Sequence, residues 1–154
     1  MAQSALPAAL LLISLAACGG DDPLSVGENL RLSEARGRWQ ERSFLDYTFQ
    51  VRSVCFCPEE YSLWMEVEVR NGVVVAVREP GESGSLPAHR LAEWPTIDAL
   101  FDRIATSARA DGVEDVRARF DDELGFPTEI VIDADEETLD GGALIEVRSL
   151  APLP

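Results

Sequence analysis

The sequence predicts an α+β fold in which an antiparallel sheet of about six strands carries two helices on one face. Three observations predict this class. Several segments alternate apolar and polar residues with the period of a half-buried strand. Another segment has the apolar stripe of an amphipathic helix, and both halves of the chain follow the order helix, strand, strand, strand. Such elements bury their apolar faces by packing in layers around one core, and the shared order indicates two helix-plus-three-strand units.

The first helix is expected to begin at Ser33, whose hydroxyl can cap it. Its apolar positions Ala35 and Trp39 are four residues apart and therefore share one face. Gly37 lowers the stability of this helix by about 1 kcal/mol. The chain before Ser33 begins with glycine and aspartate, so residues 18–32 are predicted to be a flexible tether. Residues 33–154 are predicted to form a single domain.

The next segment gives the clearest strand signal in the chain. Apolar and polar residues alternate from Leu45 to Arg52, and a second alternation runs from Leu63 to Arg70. Asn71-Gly72 then leads directly into residues 73–77. Asn-Gly between two such runs is the strongest short-range signal for a β-hairpin. We therefore expect three consecutive antiparallel strands.

The second half repeats this order after a loop at residues 79–93 that is rich in Gly, Ser and Pro. Thr96 is a suitable N-cap for a helix. The apolar residues that follow share one helix face: Ile97, Leu100, Phe101, Ile104, Ala105 and Ala108. Gly112 ends this helical segment. Three further strands are predicted at residues 113–120, 128–132 and 144–150.

The sequence leaves the register of the third strand open. With a two-residue turn at Asn71-Gly72, the valines of that strand face away from the core. Together with a nearby tryptophan they would form an apolar strip of four residues: Trp64, Val73, Val75 and Val77. Either a bulge changes the register, because a slip of one residue moves every side chain to the other face, or the strip is a partner-binding patch.

Composition restricts the class of function. The chain has 154 residues, of which 46% are hydrophobic and 27% are charged, as in one globular domain. Thirteen basic residues, all arginine, face 28 acidic ones, and the net charge of −15 argues against nucleic acid as a partner. The chain has no lysine, and its single histidine is His89. Since most of the usual general bases are therefore missing, we expect no enzymatic activity and no cofactor.

The N-terminal segment predicts export. Its apolar stretch, residues 6–17, is shorter than the roughly 20 residues that cross a bilayer as a helix. It ends in Leu15-Ala16-Ala17-Cys18, which resembles the lipobox of bacterial lipoproteins. This resemblance implies that residues 1–17 are a signal peptide and that Cys18 becomes the acylated first residue, so the protein contacts a membrane through its lipid. Gly19 follows the cysteine, which favours the outer membrane in a Gram-negative host.

Cys55-Phe56-Cys57-Pro58 is the most distinctive local sequence. With Cys18 acylated, Cys55 and Cys57 are the two remaining thiols, and an oxidising compartment favours a disulfide between them. Residues i and i+2 of a regular strand lie about 6.6 Å apart, near the upper limit for a disulfide, so the chain must turn here. A redox-active dithiol, a soft-metal site and intermolecular pairing are the alternatives. We expect no metal, because His89 is the only further nitrogen or sulfur ligand.

Several motifs follow one another along the chain: Trp39, Tyr47-Thr48-Phe49, Cys55-Phe56-Cys57-Pro58, Val69-Arg70-Asn71-Gly72, Trp94-Pro95-Thr96 and Leu124-Gly125-Phe126-Pro127-Thr128. This series resembles a family of small bacterial lipoproteins that is described as a domain of unknown function. The likeness extends from about residue 33 to residue 150. It supports the fold and the pairing of the two cysteines, and it implies no particular activity.

These observations predict a lipid-anchored, non-enzymatic domain of the bacterial cell envelope. We expect it to act by binding, or by supporting an envelope assembly through a protein partner. The alternative is an envelope protein that handles thiol redox chemistry or metal with Cys55 and Cys57.

Overall fold

A computed structural model describes residues 24–134 and 142–154. Six strands form one antiparallel sheet in the order β3-β2-β1-β6-β5-β4. The helices and strands are α1 (Val26–Arg42), β1 (Tyr47–Cys55), β2 (Met65–Arg70), β3 (Val73–Arg78), α2 (Ile97–Ser107), β4 (Val113–Phe120), β5 (Pro127–Ala134) and β6 (Ala143–Pro152). Two short 3₁₀ helices, Glu59–Ser62 and Ala88–Glu93, lie in the loops. The mixed α+β class and the six-stranded sheet are therefore confirmed.

The first helix begins about two turns earlier than the sequence predicted. Ser25 is the N-cap, and its hydroxyl accepts a hydrogen bond from the backbone N–H of Glu28. The Glu28 carboxylate accepts in return from the backbone N–H of Ser25 at 3.0 Å, which completes a capping box. The predicted N-cap at Ser33 is wrong, and so is the part of the predicted tether that α1 occupies. Residues 18–23 lie outside the described part of the chain.

The central strand β1 connects the sheet to both helices. Alternate residues of β1 and β2 are buried and pair across the two strands: Tyr47, Phe49, Val51, Met65, Val67 and Val69. The Tyr47 ring contacts the Trp39 ring of α1 edge-on at 5.3 Å. The Tyr47 hydroxyl accepts a hydrogen bond from the backbone N–H of Ile97, the first residue of α2, at 3.1 Å. Burial raises the pKa of Tyr47 to about 12, so this hydroxyl stays neutral at physiological pH.

The predicted hairpin at Asn71-Gly72 is confirmed. Both residues have positive φ angles, 49° and 72°, as a type I′ turn requires. Arg70 pairs with Val73 as predicted, but the register then shifts at a bulge, so that Val77 pairs with Val67. Of the two alternatives for this strand, the bulge is the one observed, and it turns Val77 into the core, so Val77 is not part of an outward-facing patch.

The second helix follows the sequence prediction. The Thr96 hydroxyl caps α2 by accepting a hydrogen bond from the backbone N–H of Ala99 at 3.1 Å. The buried residues of α2 form the predicted stripe: Ile97, Leu100, Phe101 and Ile104. The Phe101 ring stacks on the Phe120 ring of β4, with centroids 6.0 Å apart. β4 has the predicted bounds, and β5 and β6 extend slightly beyond theirs.

Candidate functional site

A cavity of about 490 Å³ lies at the end of β1, between the sheet, the start of α2 and the two 3₁₀ helices. This volume falls within the range of roughly 300 to 1,000 Å³ that is usual for small-molecule sites. Its principal walls are formed by Cys55, Cys57, Trp94, Leu100, Arg103 and Ile145. The cavity therefore contains the predicted cysteine pair together with residues that are distant in sequence.

Small side chains create this cavity. Val51, Ser53 and Cys55 are alternate residues of β1 and share its core-facing side. Val51 is fully buried, whereas Ser53 and Cys55 are small and only partly buried. Elsewhere in the lining, Ala92 and Ala99 contribute side chains of a single methyl group. The core thus ends where these side chains become too short to fill the space between the sheet and α2.

The two predicted cysteines form a disulfide in the cavity wall. The Cα atoms of Cys55 and Cys57 are 5.2 Å apart, closer than in a regular strand, because β1 ends at Cys55 and the chain turns. Both cysteines line the cavity, while Phe56 between them is 85% exposed. In this bonded state neither sulfur is a thiolate that could bind a metal. Within residues 24–134 and 142–154, no three His, Cys, Asp or Glu side chains are grouped as metal ligands would be.

Arg90 joins the two 3₁₀ helices beside the cavity. Its guanidinium donates to both oxygens of the Glu60 carboxylate, at 2.9 and 2.6 Å, and to Glu93 at 2.8 Å. The Tyr61 hydroxyl donates to Glu93 at 2.9 Å. Hydrogen bonds from Arg90 lower the pKa of Glu60 and of Glu93, and Tyr61 lowers the pKa of Glu93 further. Both carboxylates are therefore ionised and paired at neutral pH, and the wall they form is preorganised.

Trp94 is the largest buried residue of the cavity wall. Only 5% of it is exposed, and its ring stacks on Tyr61 with centroids 5.1 Å apart. The indole N–H of Trp94 is buried and has no acceptor in the described part of the chain. Buried polar groups are nearly always paired, and leaving one unpaired costs about 1 to 3 kcal/mol.

Arg103 of α2 lies at the mouth of the cavity and is open to solvent on its outer side. The apolar surroundings lower the pKa of its guanidinium, since desolvation disfavours the charged form. Several arginines elsewhere are held by carboxylates, as in the pairs Arg36–Asp102 and Arg52–Glu146, both at 2.6 Å. Arg103 makes no such ion pair or hydrogen bond among the described residues. Its five N–H donors are therefore available to a ligand.

Trp64 has a different environment from the one that the sequence predicted. Two guanidinium groups lie over its ring, that of Arg148 at 3.8 Å and that of Arg52 at 4.8 Å from the ring centroid. Arg52 in turn pairs with Glu146 of β6. These cation–π contacts place Trp64 in a charged surface of the sheet.

The predicted apolar strip does not form. Val77 is buried, and Val73, although 62% exposed, pairs with Arg70 at the far end of β2 from Trp64. Six residues of strand separate those ends, or about 20 Å at 3.3 Å per residue. Val75 is exposed at the bulge. The strip would form only if β2 and β3 paired regularly along their whole length, and the bulge interrupts that pairing.

Sequence reasoning did not identify Trp94, Arg90 or Arg103 as site residues. Trp94 carried a weak signal, because it is an aromatic residue just before the N-cap of α2. Arg103 carried none, since a charged residue off the apolar stripe is ordinary on a surface helix. Arg103 lines the cavity because the tertiary structure packs α2 against the end of β1, where the side chains are short.

The predicted signal peptide, residues 1–17, and Cys18 lie outside the described residues. Between residue 24 and the C-terminus, the described helices are all too short or too polar to span a bilayer. Leu24, just before α1, lies beside Ala108 and Arg109 at the C-terminal end of α2. The cavity lies along the N-terminal part of that helix. The chain therefore enters the domain beside the C-terminal end of α2, outside the lining of the cavity.

Comparison with known proteins identifies one family. The sequence pattern of a family of unknown function, DUF6174, matches residues 31–152. This range includes all six strands, α2 and most of α1. No curated protein and no solved structure matches the chain.

Proposed function

The chain belongs to DUF6174, a family of unknown function, and we propose that it is a lipid-anchored binding module of the cell envelope. In this proposal the domain has no catalytic activity and holds a small molecule in the cavity beside the Cys55–Cys57 disulfide. Cys18 carries the lipid, and an envelope protein is the expected partner that delivers or receives the molecule.

One observation carries the proposal: a cavity of ligand size has a charged group without a partner in its lining, the Arg103 guanidinium. Enclosed apolar walls with a few unpaired donors are typical of small-molecule sites. The rigid connection of the surrounding loops through Arg90 supports the same function, because a preformed site loses less conformational freedom on binding.

The arrangement of the helices is part of this proposal. We place α1 and α2 on one face of the sheet, as two helix-plus-three-strand units. The contacts of Tyr47 with Trp39 of α1 and with the first backbone N–H of α2 support this placement. Helices on one face leave the opposite face, with Trp64 and its arginines, open for the envelope partner.

The disulfide supports the envelope location, because such bonds persist in oxidising compartments. It also favours a second candidate function, thiol redox exchange, since both sulfurs line the cavity and Arg103 could stabilise a thiolate there. We favour binding, because redox exchange gives no role to the wall that Arg90 preorganises beside the cavity.

Filling the cavity tests the binding function. Ala99 is exposed on α2 and lines the cavity, so Ala99→Phe should occupy part of the space without disturbing the core. Nile red is an uncharged dye that fluoresces in apolar sites. We expect the full-length protein to bind it at one site, and Ala99→Phe to weaken this binding at least about tenfold, or about 1.4 kcal/mol.

The matched control is Ala110→Phe, which adds the same ring at another exposed alanine outside the cavity. This variant should bind the dye like the wild type. Thermal unfolding of both variants verifies that they are folded. Equal dye affinity in the wild type, Ala99→Phe and Ala110→Phe would contradict the proposed function.

A further inference from the structure

The charged residues of the cavity indicate the class of ligand that it can bind. Among the described lining residues, Arg103 is the only base and Glu93 is the only acid. Arg90 and Tyr61 hold Glu93 by hydrogen bonds, and Arg90 also holds Glu60, so one guanidinium faces two carboxylates and this group keeps one net negative charge. Among the described lining residues, the charged group with free hydrogen-bond donors is therefore that of Arg103.

The rest of the lining is largely apolar. Val51, Leu100 and Ile145 are buried residues of the core that border the cavity from below. The apolar surface that water reaches belongs to the disulfide, Pro95 and Ala99. An apolar ligand body would leave water for these walls, which is favourable in proportion to the area removed from water. The geometry therefore favours a molecule with an apolar body and one polar end.

The sign and the size of the charge on that polar end follow from electrostatics. A cationic end would meet Arg103 and be repelled. The net charge of −15 of the chain opposes every anionic charge on a ligand, and among the described lining residues a single guanidinium is free to offset it, so a monoanion fits better than a dianion. A carboxylate fits best, because its two oxygens can accept two parallel N–H bonds from one arginine.

Resting on the binding function proposed above, we infer that the cavity holds an amphiphile with an apolar chain and a single carboxylate, whose carboxylate pairs with Arg103. The apolar chain lies against the disulfide, Pro95 and Ala99. Acyl carboxylates belong to this chemical class, which is also available at a membrane surface. The N-terminal lipid would hold the domain close to such a source.

Three decyl compounds with the same chain test the inference: decanoate, decanol and decylamine. Each is titrated into the full-length protein below its micellar concentration, with displacement of Nile red as the readout. In the wild type we expect decanoate to bind at least about tenfold tighter than decanol, since a hydrogen-bonded charge pair contributes about 1.5 to 3 kcal/mol. Decylamine should bind most weakly.

Arg103→Gln should remove this preference, so that decanoate and decanol bind within about twofold of each other. Arg103→Lys keeps the charge but loses the paired donors, and it should retain part of the preference. The matched control is Arg119→Gln, an arginine on β4 whose side chain is 80% exposed and lies outside the cavity. This control should behave like the wild type.

The outcomes separate the two proposals. Equal displacement of Nile red by decanoate and decanol in the wild type would overturn the carboxylate inference and leave the binding function standing. A preference for decanoate that survives in Arg103→Gln would overturn the role of Arg103. Failure of Nile red itself to bind would overturn the binding function on which the inference rests.

Discussion

Replacing Gly125 with alanine should destabilise the domain strongly, although the change adds only one methyl group. Gly125 has a φ of +83°, a conformation that costs an alanine about 1 to 2 kcal/mol. A Cβ at this position would also lie 3.0 Å from the Arg38 Cβ and 3.1 Å from the Trp39 nitrogen, and would overlap the Ala35 carbonyl oxygen. Because α1 packs directly on this turn, the helix must move away. We expect a loss of about 3 to 5 kcal/mol, a large fraction of the stability of a domain of this size.

Urea unfolding followed by circular dichroism measures this loss. Gly37→Ala is the matched control, since it makes the same substitution within α1, where no atom lies within 4 Å of the added Cβ. Removing a helix-interior glycine should stabilise the domain by about 0.5 to 1 kcal/mol. The two variants should therefore shift the unfolding midpoint in opposite directions. A midpoint for Gly125→Ala equal to that of the wild type would contradict the close packing of α1 on this turn.

Cys18→Ala should release the protein from membranes or leave it as an unprocessed precursor. The predicted lipid on Cys18 is the only attachment that we infer, and two acyl chains are what makes such anchoring stable. The effect should be close to complete. Membrane fractionation combined with metabolic labelling by a fatty acid measures it.

The control is the double variant with Cys55→Ser and Cys57→Ser, which removes two cysteines but keeps the acylated one. It should stay in the membrane fraction and retain the acyl label. Persistence of the label in Cys18→Ala would contradict the anchor.

Most of the sheet could be predicted from sequence because each strand buries only one face. The alternation around Tyr47, Phe49 and Val51 therefore reports directly which side chains enter the core. The Asn71-Gly72 turn and the Thr96 cap were equally clear, because both depend on local backbone conformation.

The start of α1 was missed, whereas the bulge in β3 was one of two alternatives that the sequence left open. Ser25 and Glu28 have the spacing of a capping box, but the surrounding Gly- and Asp-rich composition favoured a tether. The valines of β3 indicated a possible bulge, because regular pairing would leave three of them on the outer face. The position of the bulge beside Val75 follows only from the assembled sheet.

The candidate site shows the same division between local and long-range information. The pairing of Cys55 with Cys57 could be predicted, since it depends on two residues and a turn. The cavity could not, because it arises where short side chains of β1 meet α2 and the loop before it. Trp94 and Arg103 line the cavity only because these elements pack against one another.

The most direct test of the binding function measures the mass of the protein together with any molecule that stays bound to it on extraction from its natural membrane. The full-length protein is extracted from its own cells in polymer nanodiscs, without detergent, because detergents are amphiphiles that could fill the cavity. Native mass spectrometry then compares the wild type with Ala99→Phe. We expect the wild type to carry one small molecule that is lost on mild activation, and Ala99→Phe to lack it. Equal masses for the two proteins, after correction for the substitution, would contradict a ligand-binding role for the cavity.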